Sequence, residues 1–107
     1  MSTYSAVFTQ APEEKRRYIL DYTLTLSAGE TVTSISSPIN ITQTFGTNPP
    51  VAAFQITSVV VGPGGLQVVF YANGGDDGDE FEVQFLANTS AGQIIEDVVK
   101  FTIESDL

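Results

Sequence analysis

The chain has 107 residues, the size of one domain, and it carries 13 Asp and Glu against 4 Lys and Arg for a net charge of −9. It contains no His, Cys or Trp. That excludes a disulfide framework, a zinc finger, haem or iron–sulfur ligation, and any Ser-His-Asp or Cys-His nucleophile. Three of the four cations, Lys15, Arg16 and Arg17, are consecutive, so no basic face for nucleic acid or for an anionic membrane is expected. No apolar run reaches the ~18 residues that read as a membrane span, and residues 1–12 lack the cation and apolar stretch of a secretory signal.

Residues 1–13 read as an N-terminal arm before a single β domain over 14–107. The arm is polar apart from Tyr4, Val7 and Phe8. These can pack on a neighbouring subunit, add an edge strand to their own sheet, or stay disordered. Residues 12–17 hold the one stretch capable of a helical turn. Glu13-Glu14-Lys15-Arg16-Arg17 reads as a solvated segment with local ion pairs, or as a docking patch, since Arg is enriched at interfaces.

From there the apolar period is two, the signature of strands buried on one face. Strands are predicted at 17–26, 31–36, 39–45, 52–61, 66–73, 80–88 and 94–104. Tyr18, Leu20, Tyr22, Leu24 and Leu26 form one inward set. Phe81, Val83 and Phe85 form another, and Val99, Phe101 and Ile103 a third. Residues 55–61 and 66–71 are denser in Val, Ile and Phe and read as more central. Turn signals separate the runs. Gly62-Pro63-Gly64-Gly65 is a tight hairpin connection, Pro49-Pro50 a stiff crossover, and Asn88-Thr89-Ser90-Ala91-Gly92-Gln93 the last hairpin. The expectation is an all-β fold: a single immunoglobulin-like antiparallel β-sandwich of about seven strands.

The remaining candidates for chemistry are few. Asp76, Asp77, Asp79 and Glu80 can supply oxygen ligands to Ca²⁺, yet their spacing matches neither an EF-hand nor a calcium-binding nonapeptide repeat, and the plainer reading is a solvated turn. Chance carboxylate pairs and a small volume do not make an active site, so no enzyme, cofactor or metal is expected. Most aromatic residues sit in core phase. Phe54 and Tyr71 are left as the rings that could carry a carbohydrate.

Three stretches share a familiar order. Glu14-Lys15-Arg16-Arg17-Tyr18 leads into Asp21-Tyr22-Thr23-Leu24 and Leu26-Ser27-Ala28-Gly29-Glu30-Thr31-Val32. Gly74-Gly75 and Gly78-Asp79-Glu80-Phe81-Glu82-Val83 follow. The last is Asn88-Thr89-Ser90-Ala91-Gly92-Gln93 with Val99-Lys100-Phe101-Thr102-Ile103. Over about residues 14–104 this resembles the small Ig-like β-sandwich virion structural proteins of tailed bacteriophages. The chain departs from that pattern at Phe81, where a Tyr is usual, and at Leu24 and Leu26, where a Trp is.

The resemblance implies a non-enzymatic virion component, decorating a capsid or joining head and tail parts, assembled in the host cytoplasm. Its partners would be other virion proteins, with a homo-oligomer also open. Tyr4, Val7, Phe8, Lys15, Arg16 and Arg17 are the residues expected to meet a partner. The alternative is a surface or tail-fibre module that binds glycans or a host receptor.

Overall fold

Alternating strands with one apolar face are stable only when two such faces meet. A computed structural model, which describes residues 4–47 and 49–105, brings them together as a β-sandwich. In chain order its strands are β1 (Ala6–Gln10), β2 (Lys15–Asp21), β3 (Val32–Ile35), β4 (Asn40–Phe45), β5 (Gln55–Val61), β6 (Gln67–Asn73), β7 (Glu80–Thr89) and β8 (Ile94–Ile103). One sheet runs β2-β6-β5. The other runs β1-β8-β7, with β3 and β4 sharing the far side of β7. β3 takes the Ala87 to Thr89 end of β7 and β4 the Glu80 to Gln84 end. The two are joined through a cis Ser37–Pro38 peptide.

The inward sets meet in the middle. Phe81, Val83, Phe85, Val99, Phe101 and Ile103 of one sheet are buried against Leu20, Val68, Phe70 and Ala72 of the other. Each large side chain withdrawn from water contributes about 1.5–3 kcal/mol. Rings dominate this core. Phe101 lies 5.1 Å from Phe54, 5.2 Å from Tyr18 and 5.4 Å from Phe8, centroid to centroid, and Phe54 stacks on Phe81 at 4.5 Å.

Four boundaries depart from the sequence reading, each for a local reason. The strand predicted at 17–26 ends at Asp21, because the Asp21 carboxylate accepts from both the backbone N–H and the hydroxyl of Thr23 and turns the chain. Tyr22 stays buried but Leu24, expected inside, is fully exposed. The helical turn expected at 12–17 is a simple turn, closed by the Glu14 N–H donating to the Ala11 carbonyl, with β2 already running at Lys15. The strand predicted from residue 52 starts at Gln55.

The fourth departure is β1. Residues 6–10, within the stretch read as an arm, form an edge strand paired in parallel with β8, so the fold is not purely antiparallel. Phe8 turns inward between Tyr18 and Phe101. The Gln10 side chain, almost wholly buried, donates to the Glu14 and Ala72 carbonyls and accepts from the Tyr18 hydroxyl. One side chain thereby ties the edge of one sheet to two strands of the other.

A second tie closes the opposite end of the sandwich. Glu30, buried in the β2–β3 connection, accepts from the Thr89 hydroxyl at 2.5 Å and from the Ser27 N–H at 3.0 Å. The Thr89 hydroxyl and then the Ser27 amide hold this carboxyl below its ordinary value of 4.5. A depressed folded pKa stabilises the native state above that ordinary value, and the contribution is lost as pH falls through the folded value.

Two outcomes follow from these ties. Gln10→Leu leaves two carbonyls and a phenol without their partner and should lower unfolding stability by about 1–3 kcal/mol in urea titrations; a variant as stable as the parent would mean water replaces the side chain. Glu30→Gln should melt below the parent at pH 7, and the gap in Tm should close as pH falls below the ordinary carboxyl value of 4.5. A gap that is the same at pH 7 and pH 3 would show that the charge is not what stabilises the site.

Candidate functional site

The alternation that buries Tyr18 and Leu20 turns Lys15, Arg17 and Ile19 to the outer face of the three-stranded sheet. Register then sets rows across that face. Arg17 lies beside Tyr71, and Tyr71 beside Thr57. Ile19, Val69 and Val60 form the next row, and Lys15, Asn73 and Gln55 the row on the other side. Ile19 and Val60 are about half exposed, at 46% and 54%. The Lys15 ammonium sits 5.6 Å from the centre of the Tyr71 ring, a cation–π contact worth about 0.5–1 kcal/mol at an exposed position.

What this face offers is contact chemistry: two cations, a phenol ring and an aliphatic row on a rigid sheet. Arg and Tyr are the residue types that carry binding energy at protein interfaces. Position explains why they gather here. Among the described residues β2 pairs only with β6, and cations along such an edge also deter unwanted strand pairing. Arg16 takes the opposite phase near the strand end, largely exposed, 3.9 Å from the Glu14 carboxylate.

The other residues singled out in the sequence lie elsewhere. Tyr4, Val7 and Phe8 belong to the β1 side. The Tyr4 hydroxyl donates to Glu82 at 2.5 Å, and this bond raises the phenol pKa. Lys100 lies 5.8 Å from the Tyr4 ring centre and pairs with Glu80 at 2.6 Å. Phe8 packs within the protein's own core, and Val7 alone of the three keeps a largely exposed side chain. The structure therefore separates two groups, Lys15, Arg16 and Arg17 on β2, and Tyr4, Val7 and Phe8 along β1.

Of the two rings left open for carbohydrate, Phe54 is buried against Phe81. Tyr71 stays on the outer face, with Lys15 beside it. Phe54 could not be phased from sequence because it precedes β5 rather than sitting within it.

The acidic loop is built differently from a solvated turn. Asp79 is fully buried, and its two oxygens accept from the N–H groups of Thr47 and Asp76 at 2.9 Å each. Asp76 accepts from the N–H groups of Val51 and Ala52 at 2.8 and 3.2 Å, and Asp77 from that of Ser105 at 2.9 Å. The carboxylates diverge onto backbone amides, fastening the β4–β5 crossover to the loop before β7. Among the described residues, no group of three or more His, Cys, Asp or Glu is placed to hold a metal ion. Glycine permits the close approach. Gly46 has φ +107°, and a Cβ there would collide with the Asp79 carboxylate.

Asp79→Asn keeps the shape but presents an amide N–H₂ to a site holding two N–H donors. It should cost about 1–3 kcal/mol by thermal or urea unfolding. A variant equal to the parent would show that the Thr47 and Asp76 amides find other acceptors. Compared with protein-family models and with curated proteins, the chain matches none.

Proposed function

We propose that this chain is a non-enzymatic structural domain, an immunoglobulin-like sandwich that works through protein–protein contacts as a virion component of a tailed bacteriophage, in capsid decoration or as a head or tail accessory protein. The observation that carries the binding part of this reading is the outer face of the β2-β6-β5 sheet, where Lys15 and Arg17 border Tyr71 and the Ile19–Val69–Val60 row. The strand order supports the immunoglobulin reading. The second, sixth and fifth strands form one sheet, and the seventh is flanked by the eighth and third in the other. The virion placement draws on the sequence resemblance. In a particle, repetition multiplies a modest patch into stable attachment through avidity.

An acidic counterpart suits this face. Three of the four cations stand together on β2, while residues 76–82, in the loop before β7 and the start of β7, hold five of the 13 acids. Within a Debye length of ~8 Å at physiological salt, a partner meets the local cations rather than the net charge. The glycan-binding alternative retains Tyr71 on the same face.

The test uses particles produced from the genome that encodes the chain. Mass spectrometry should find the protein in purified virions, and Lys15→Glu combined with Arg17→Glu should strip it from them while leaving it folded, with a melting temperature lowered by no more than about 8 °C, the scale of the lost cation–π contact. Absence from purified particles would overturn the virion reading. Full incorporation of the double variant would overturn the choice of face.

A further inference from the structure

Between Glu30 and Asp76 the chain holds no Asp, Glu, Lys or Arg. That stretch builds β3, β4 and β5, which lie along one flank of the sandwich, and β6, which runs between β5 and β2. On this flank both sheets end, among the described residues, in an unpaired edge: β4 bonds only to β7, and β5 only to β6. β1 covers the opposite flank through Phe8 and Gln10. Here a surface groove of about 610 Å³ runs between the β3–β4 connection and β5. Ile35, Ile39, Ile41, Ile56, Val59 and Val61 supply its apolar lining, with serine and threonine hydroxyls between them. Ile41 stands at the rim, over a third exposed.

We infer that this uncharged flank is a self-association surface, and that its occupant is a second copy of the chain, related by a two-fold axis. Charge selects the occupant. A two-fold interface sets a surface against itself, so any patch of one sign meets its own sign. In a protein of net charge −9, most approaches of two copies bring carboxylates together. The β3–β4–β5 flank alone is free of charge along the chain segment that builds it, and an uncharged surface is complementary to itself. Depletion of charge from the centre, with charge at the margin, is the composition of an interface core. The margin is present: Glu82 pairs with Thr42 one strand inward from the β4 edge. Two antiparallel edges of identical strands also pair naturally about a two-fold axis. Bulges in β4 and β5, the latter with Ser58 at φ +52°, interrupt each edge and oppose indiscriminate strand addition.

Sedimentation equilibrium of the full chain tests this. A dimer should form in the micromolar to sub-millimolar range and tighten or hold between 50 and about 500 mM NaCl, because screening removes the general repulsion and no interfacial ion pair is lost. Ile41→Lys should weaken dimerisation by at least about tenfold, the loss of one well-placed contact. Ile41→Ala should weaken it less, with both variants folded by circular dichroism. Lys15→Glu with Arg17→Glu should leave the dimer intact, which separates this surface from the cationic face. A chain that stays monomeric to about 0.5 mM overturns the inference. So does a dimer indifferent to Ile41→Lys, one dissolved by salt, or cross-linking through position 41 that captures only a different protein.

Discussion

The ring of Phe101 meets rings from both sheets and from the crossover between them: Phe8 of β1, Tyr18 of β2, Phe54 of the crossover and Phe70 of β6. A protein without tryptophan or cystine has neither of the usual pins between two sheets. Here a cluster of rings takes their place. On one side Phe8 completes the cluster. On the other, the groove is lined by Ile, Val, Ser and Thr and holds no ring.

Around that core, carboxylates act as fasteners. Asp21, Glu30, Asp76, Asp77 and Asp79 each accept from a backbone N–H at a bend in the chain. An ionised carboxylate is acceptor-only and makes charge-assisted bonds, so it suits loops whose amides have no strand partner. Part of the acidity that sets the net charge at −9 is therefore structural. The exposed remainder leaves the outer surfaces unequal, with cations on β2, acids on β7 and β8, and neutrality along β4 and β5.

Much of this was legible before any coordinates. Strict alternation located β7 and β8 almost to the residue, since Phe81, Val83, Phe85, Val99, Phe101 and Ile103 admit one phase only. What escaped the reading depends on contacts between distant segments. Leu24 continues the alternation of β2, but a side chain three residues earlier, Asp21, bends the chain away. Phe54 and Gln10 gain their burial from partners on other strands. Asp79 looks like its exposed neighbours until Thr47, distant in sequence, brings its N–H alongside. Lys15, Arg16 and Arg17 stood out in the sequence as consecutive cations, but the phase that sets Lys15 and Arg17 on one face, beside Tyr71, Val69 and Val60, required β2 to begin at Lys15 and the β2-β6-β5 order.

The parallel ladder between β1 and β8 has a mechanical consequence. Five residue pairs, Ala6 with Val99 through Gln10 with Ile103, join a strand near one end of the chain to a strand near the other. Because the two run in the same direction, tension applied at opposite ends draws them past one another along their length. The hydrogen bonds are then loaded side by side and must fail together, instead of opening one at a time as in a hairpin peeled from its tip. A domain tethered at both ends is braced by this geometry along the direction in which it would be pulled.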